Sequence, residues 1–252
     1  MKKIVVIPTY NEKENIEAIT RAVLDVDPDT EVLIVDDNSP DGTGKIADWL
    51  VGQNLRVHVL HRPGKEGIGP AYKDGFRRAL ELDADLIVQM DADFSHPVDA
   101  LPRFYELAKE HDVVLGSRYV DGITVINWPM GRLLISYFGN LYAKKVLGSL
   151  PVMDATGGFK CWRREVLAAL DLPGVRSNGY AFQIEMNYRA WRLGFRLKEM
   201  PIIFTERRAG SSKMNLKIAA EALLVVWWLR LQNLLGRLEK RPLLGATRHV
   251  AS

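Results

Sequence analysis

The chain has 252 residues, 47% of them hydrophobic and 26% charged, which fits one large α/β domain or a domain with a short appendage. A formal net charge of +3, with no single basic run, is too weak to imply a nucleic-acid partner. The lone Cys161 excludes an internal disulfide and reads as a small buried apolar residue compatible with a reducing compartment. Lys2 and Lys3 lead straight into the short run Ile4–Ile7, so no secretory signal is expected. The longest apolar run near the C-terminus, Ala222 to Leu229, is flanked by Glu221 and Arg230. It falls well short of the roughly 20 apolar residues that span a bilayer.

In chain order, strands and helices alternate. Ile4–Ile7 is a β-branched apolar run, as in a strand buried on both faces, and helical spacing follows over Asn15–Leu24. Glu31–Val35 predicts a second strand, Gly44–Leu50 a helix, and Arg56–Leu60 a third strand. Gly67 opens a helix running to about Leu82, and Leu86–Met90 predicts a fourth strand. A helix over Val98–Lys109 and a strand over Asp112–Leu115 come next, and the last clear strand is expected at Met200–Phe204. This alternation predicts a mostly parallel sheet flanked by helices. Open sheets of this kind bind ligands at the carboxyl ends of their strands. Polar residues gather there: Tyr10, Asn11 and Glu12 after the first strand, Asp36 and Asp37 after the second, Asp91 and Asp93 after the fourth. The first strand is followed by Pro8-Thr9-Tyr10-Asn11-Glu12 rather than Gly-x-Gly-x-x-Gly, which excludes a dinucleotide held in the usual Rossmann way.

Asp91 and Asp93, two apart at a strand end, can point to one side. Two converging carboxylates repel unless a cation lies between them. Mg2+ or Mn2+ suits oxygen ligands and keeps positions open for a diphosphate. Taken alone, a solvated Asp-x-Asp loop or a helix cap explains the pair as well. The surrounding motifs add context: Val35-Asp36-Asp37-Asn38-Ser39-Pro40-Asp41-Gly42-Thr43, Asp91-Ala92-Asp93-Phe94-Ser95-His96-Pro97, Gly116-Ser117-Arg118-Tyr119, Asn127-Trp128-Pro129, Asp154-Ala155-Thr156-Gly157-Gly158-Phe159, Gly179 to Glu185, and Arg207-Arg208 to Lys213. In this order, over roughly residues 1–215, the chain resembles the family 2 glycosyltransferases, and within them the dolichol-phosphate or polyprenol-phosphate mannose synthases.

That resemblance implies a GT-A fold over 1–215; beyond it the residues themselves read as an appended amphipathic helix over 216–241 and an expected disordered tail at 242–252. It implies a metal-dependent, inverting transfer of mannose from GDP-mannose to a membrane-embedded polyprenyl phosphate. Pro8, Tyr10, Glu12, Val35 and Asp37 would surround the base and ribose of the donor, with Asp91, Ala92 and Asp93 at its diphosphate. A glutamate can accept from a guanine amino or ring N–H, whereas uracil offers one such donor; an aspartate suits ribose hydroxyls. Helix-start capping is the competing explanation for Glu12 and Asp37. The metal ligands would be Asp91 and Asp93. Ser95 stands where several relatives carry a metal-reaching glutamine, so a water could replace that ligand. Arg118, Arg132, Arg207 and Lys213 match basic positions that contact the acceptor phosphate or donor diphosphate, as two phosphate groups meeting in one site require.

A phosphate acceptor is largely dianionic at neutral pH and needs no general base. Glu185 is the residue that could contradict this, as a base or as the structural partner of an arginine. The five histidines lack metal-ligand spacing and read as structural or surface residues. Two segments suit a membrane surface. Met130–Leu147 carries Leu133, Leu134, Tyr137, Phe138, Leu141 and Tyr142 at helical spacing, with Arg132, Lys144 and Lys145 supplying positive charge. Leu216–Leu238 carries a stripe that includes Leu223, Leu224, Trp227, Trp228, Leu231 and Leu235, with basic residues following. Core packing or an oligomer contact is the alternative for each. The expected partners are therefore a nucleotide-sugar donor, a polyprenyl phosphate, a membrane surface on its cytoplasmic face, and, as an option, a membrane subunit. The alternatives are a UDP-glucose-dependent polyprenyl-phosphate glucosyltransferase, a transferase acting on a soluble hydroxyl, and a non-catalytic nucleotide-sugar-binding subunit.

Overall fold

The computed structural model describes residues 1–205 and 216–238, the latter with side chains from 223 onward. The elements run β1 (Lys3–Thr9), α1 (Ile16–Leu24), β2 (Thr30–Asp36), α2 (Thr43–Gln53), β3 (Val57–His61), α3 (Ile68–Glu81) and β4 (Leu86–Gln89). A single 3-10 turn, Val98–Ala100, leads into α4 (Leu101–Leu107), followed by β5 (Val113–Ser117), β6 (Val125–Ile126) and α5 (Met130–Val146). The second half holds β7 (Lys160–Arg163), α6 (Arg164–Ala169), α7 (Gly179–Arg192), β8 (Leu197–Pro201), β9 (Phe204–Thr205) and α8 (Leu216–Leu234).

Seven strands form one sheet in the order β3-β2-β1-β4-β7-β5-β8, and β6 pairs with β9 in a small second sheet. β1 pairs in parallel with both β2 and β4, β2 with β3, and β5 with β8. β7 alone runs antiparallel, inserted between β4 and β5. The sheet is therefore mostly parallel and helix-flanked, as the alternation predicted. The period of two sends Ile4 and Val6 to one face and Val5 and Ile7 to the other. Both faces are covered, so all four side chains are fully buried. Each such side chain contributes roughly 1.5–3 kcal/mol. One core lies under α3, α6 and α7, around Tyr72, Phe76, Trp162 and Phe182; the other lies under α1, α2 and α4, around Ile16, Ile19 and Phe104.

Two sequence expectations need correction. The strand expected at Met200–Phe204 is β8 at Leu197–Pro201, which among the described residues is an edge strand paired with β5 alone. Lys198 is exposed, Glu199 on the opposite face accepts from the Met153 and Asp154 N–H groups, and Pro201 ends the strand. The helix expected over Val98–Lys109 is a 3-10 turn plus the seven residues of α4.

α5 is turned opposite to an ordinary surface helix. Its buried residues are Ser136, Asn140 and Ala143, while Met130, Leu134, Ile135 and Phe138 face outward at 67%, 47%, 47% and 58% exposure. α8 packs beside it, with the Tyr142 hydroxyl donating to the Leu223 carbonyl over 3.4 Å. Val226 and Leu229 of α8 are buried, whereas Leu224, Trp227, Leu231 and Leu234 are exposed. Leu238, the last residue of the apolar segment read from the sequence, lies past the end of α8 and is buried. The two helices thus present neighbouring apolar faces. No helix among the described residues is long and apolar enough to cross a membrane.

Candidate active site

The carboxyl ends of β1, β2 and β4 open into a chain of connected cavities. Residues after these strands leave the extended region abruptly: Asn11, Asn38 and Phe94 have φ of 61°, 56° and 59°. Asparagine tolerates this conformation, but an aromatic residue rarely adopts it. Phe94 therefore marks a strained turn directly after the aspartate pair, as happens where function fixes a loop. The turn is closed by the Ser95 N–H donating to Asp93 Oδ1 over 3.1 Å.

The first cavity, about 210 Å3, is lined by Pro8, Tyr10, Glu12, Asp37, Lys65, Asp91, Ala92 and Asp93 among others. The central one, about 480 Å3, shares Lys65, Asp91 and Asp93 with it and adds Ser95, His96, Arg118, Arg132 and Gln183. A third, about 300 Å3 and mostly apolar, shares Arg118 and Arg132 with the central cavity and runs between α5 and α8 past Ile135, Phe138 and Leu223. A larger cavity of about 630 Å3 lies elsewhere, beside α4 and β8, and holds none of the predicted site residues.

At the first cavity, the Lys65 ammonium sits 3.8 Å from the centre of the Tyr10 ring. Glu12 Oε2 accepts from Asn15 Nδ2 over 2.9 Å, and the Glu12 N–H donates to Thr43 Oγ1. Asp37 is buried and takes Arg62 Nη1 on Oδ1, leaving Oδ2 without a partner among the described residues. Burial raises the Asp37 carboxyl above its usual range, and Arg62 offsets only part of that. Val35 does not join them: its side chain is fully buried in the core beneath α3, where it borders Gly75. Gly67, at φ 108°, holds the turn into α3, and a Cβ there would meet the Asn178 amide at 2.0 Å. Asn178 in turn accepts from Gly69 N–H and caps α7 through Gly179 N–H, so one side chain joins the two helices that wall the cleft.

Asp91 and Asp93 both line the first and central cavities, as their spacing predicted. Asp91 is fixed from behind. The Tyr72 hydroxyl donates to Oδ1 over 3.1 Å, and the Asp91 N–H donates to His96 Nδ1 over 3.1 Å. His96 Nδ1 is thus an acceptor, so the ring proton sits on Nε2, which lies 4.0 Å from Asp91 Oδ2. Burial lowers the His96 pKa, against the pull of Asp91 and Asp93, keeping the ring neutral. Burial and the neighbouring Asp91 likewise hold the Tyr72 phenol protonated. Among the described residues no group of three or more His, Cys, Asp or Glu side chains is arranged for a metal. The donor set is two carboxylates with Ser95 beside them; these residues would hold a hard divalent cation, which would supply charge neutralisation for a diphosphate.

Arg118 and Arg132 stand where the central cavity meets the apolar groove. Arg118 is buried and clamped by Asp154, with Nε to Oδ2 and Nη2 to Oδ1 both at 2.6 Å, its backbone N–H to Oδ2 at 3.0 Å, and Nη2 also to Thr156 Oγ1 at 2.8 Å. Its Nη1 has no partner among the described residues. Burial alone would lower the Arg118 pKa, but Asp154 more than offsets it. Asp154 is held below the ordinary carboxylate range because Arg118 outweighs the effect of burial. Arg132 stacks with its guanidinium 4.0 Å from the Trp128 ring centre. Arg207 and Lys213 lie outside the described residues.

Glu185 is fully buried and salt-bridged to Arg189 at 2.8 Å, and it also accepts from the Ser177 N–H. It is the structural partner of an arginine and does not reach the cleft. The residues that sequence reasoning missed are Lys65, Tyr72 and Gln183. His96 is structural, as read, but it forms a wall of the site. Lys65 and Tyr72 are isolated polar residues in sequence, whereas His96 and Gln183 lie inside motifs quoted above; their parts in the site show only in the contact geometry.

The family model for glycosyl transferase family 2 matches residues 4–171. The chain belongs to that family. Among this glycosyltransferase's relatives, the undecaprenyl-phosphate mannosyltransferase of Micrococcus luteus is 46% identical over 90% of this chain and 93% of its own. The polyprenol monophosphomannose synthase of Mycolicibacterium smegmatis is 44% identical over 95% of this chain and 89% of its own. Among solved structures, the glucosyl-3-phosphoglycerate synthase of Mycobacterium tuberculosis, in complex with Mn2+, UDP and glucosyl-3-phosphoglycerate, superposes with a TM-score of 0.65 at 19% identity. That alignment covers 91% of this chain and 79% of the other. The likeness establishes the GT-A-type fold of this family 2 enzyme.

Proposed function

We propose that this protein transfers mannose from GDP-mannose to a polyprenyl phosphate, with inversion, while bound peripherally to the cytoplasmic face of a membrane. The observation that carries this reading is the order of the connected cavities: a carboxylate pair, then two arginines, then an apolar groove opening between two helices whose outward faces are apolar. A soluble hydroxyl acceptor would have no use for that groove. The two mannosyl-transferring relatives match along nearly the whole chain, which supports the sugar and the lipid class.

In this reading Tyr10, Glu12 and Asp37 take the nucleoside, Asp37 through the carboxylate oxygen that Arg62 leaves open. A Mg2+ or Mn2+ ion held by Asp91 and Asp93 would neutralise charge on the departing diphosphate. Tyr72 and the neutral His96 fix the Asp91 carboxylate and backbone. Arg118 and Arg132 hold the acceptor phosphate, whose oxygen attacks the anomeric carbon as the bond to the diphosphate breaks. No general base is required, because the acceptor is already an anion. Rate enhancement comes from alignment and charge neutralisation. A bilayer contact through Met130, Leu134, Phe138, Leu224 and Trp227 brings the site to the lipid, since each CH2 drawn into water costs about 0.8 kcal/mol. The buried free thiol of Cys161 is compatible with the reducing side.

The test is a donor panel, GDP-mannose against UDP-glucose, offered with short-chain polyprenyl phosphate and scored by radiolabel entering organic solvent. Transfer from GDP-mannose is expected to dominate; preferential transfer from UDP-glucose would move the enzyme to the glucosyl branch.

A further inference from the structure

Beneath the central cavity, three polar residues form a cluster to which the reaction above assigns no part. Gln183 of α7 is 5% exposed and lines the cavity. Its Oε1 accepts two hydrogen bonds, from Lys160 Nζ at 2.7 Å and from Gln89 Nε2 at 2.8 Å. Lys160, on β7, is fully buried, and it also donates to the Gln183 carbonyl at 3.2 Å. Burial drives the Lys160 pKa down against the pull of Asp154. In either protonation state its N–H groups point at Gln183.

Two donors converging on one amide oxygen leave the amide no freedom to flip. The Gln183 –NH2 must then face away from Lys160. Its Nε2 has no acceptor among the described residues, and it borders the cavity beside Gly158, where an added Cβ would sit 3.8 Å from Nε2 and 3.5 Å from the His96 ring. Gly158 also lines the cavity, and the lack of a side chain there keeps the amide uncovered. The glutamine is nine-tenths buried but its Nε2 opens onto the cavity, so this N–H is a donor held ready for an acceptor that enters there. Gln183 lines the central cavity, which shares the carboxylate pair with the first cavity and the two arginines with the apolar groove, and in the reading above the transferred sugar lies there.

We infer that Gln183 is a specificity-determining residue whose fixed Nε2–H donates to one hydroxyl of the donor sugar, with Lys160 and Gln89 as the residues that hold its orientation. The phosphates in the cleft have Arg118 and Arg132, which offer charge and forked donors; a single neutral amide suits a neutral hydroxyl. The inference rests on the donor reading given above.

The test is a panel of GDP-mannose analogues, each lacking one sugar hydroxyl, assayed with the wild type, Gln183→Leu and Gln183→Met. The methionine variant matches the glutamine in length, carries no N–H donor and adapts to its surroundings, so it guards against a leucine variant that fails to fold. In the wild type, one deoxy donor should lose about tenfold in kcat/KM, the worth of one hydrogen bond. Both variants should lose about tenfold with the intact donor, yet treat that same deoxy donor and the intact one alike. Binding of GDP itself, which carries no sugar, should be unchanged by calorimetry. A purely structural glutamine would lower all donors in parallel and leave the deoxy penalty in place, and that result would overturn the inference. So would a loss that tracks the KM for polyprenyl phosphate instead of the sugar. Were the wild type to transfer from none of the mannosyl donors, the donor reading itself would fail, which is a separate outcome.

Discussion

The Arg118–Asp154 pair allows a perturbation whose size can be worked out. Asp154 is fully buried, and Arg118 is 5% exposed. Three hydrogen bonds of 2.6, 2.6 and 3.0 Å join them. Asp154→Asn keeps the shape but removes the charge, leaving a guanidinium buried without its counter-ion. Breaking such a pair from one side costs roughly 3–5 kcal/mol. In a chain of this length each kcal/mol moves the melting temperature by about 2–4 °C, so a fall of roughly 6–20 °C is expected. Adding Arg118→Met to Asp154→Asn should recover most of that loss, because the orphaned charge disappears with its partner. The pH dependence has a definite sign. Asp154 has a depressed folded-state pKa, so its contribution is complete above the ordinary carboxylate range, near pH 4, and is lost as pH falls through the lower folded value. The gap between wild type and Asp154→Asn should therefore be widest at neutral pH and close in acid. Differential scanning calorimetry of the three variants is the assay. A shift below about 2 °C, or a double variant no more stable than Asp154→Asn, would refute the reasoning.

Three other outcomes follow from the site. Asp91→Ala or Asp93→Ala should abolish transfer while circular dichroism stays native, and excess EDTA should silence the wild type; near-normal rates in any of these cases would remove the metal from the account. Glu185→Gln should lower the melting temperature, since it breaks a buried link to Arg189, but it should leave measurable transfer that falls as pH drops through about 6 with the acceptor's second ionisation; a folded variant with unchanged substrate affinities and no chemistry would show that Glu185 acts in the reaction. Leu134→Asp with Phe138→Asp should raise the KM for long-chain polyprenyl phosphate in liposomes and spare GDP binding; a double variant as good as wild type on membrane-embedded acceptor would make this face an interface between proteins.

The central strands were legible because burial on both faces forces continuous apolar runs such as Ile4–Ile7 and Leu86–Val88. β7 was not, since Lys160 opens it and Arg163 closes it; a buried lysine is unreadable until Gln183 is seen beside it. β8 was misplaced because Ile202-Ile203-Phe204 is the more apolar run, whereas an edge strand tolerates Lys198 and Glu199. The helical period of α5 was plain, but its orientation was not: Ser136, Asn140 and Ala143 turn inward while Leu134 and Phe138 turn out, against the usual amphipathic rule. At the site, the aspartate pair was legible from spacing. Val35 was placed among the nucleotide contacts, although its strand position turns the side chain into the core. Tyr72 and Gln183 meet their partners across long stretches of sequence, and His96 shows its part only when its ring is seen accepting from the Asp91 N–H.

The central claim is that a lipid-linked phosphate is itself the nucleophile. It is tested most directly by offering purified enzyme GDP-mannose with two acceptors of equal chain length, a polyprenyl phosphate and the corresponding free polyprenol, and assigning the anomeric configuration of the product by NMR. The account predicts product from the phosphate alone, with configuration inverted relative to the donor. Mannosylation of the free alcohol, or retention of configuration, would contradict it.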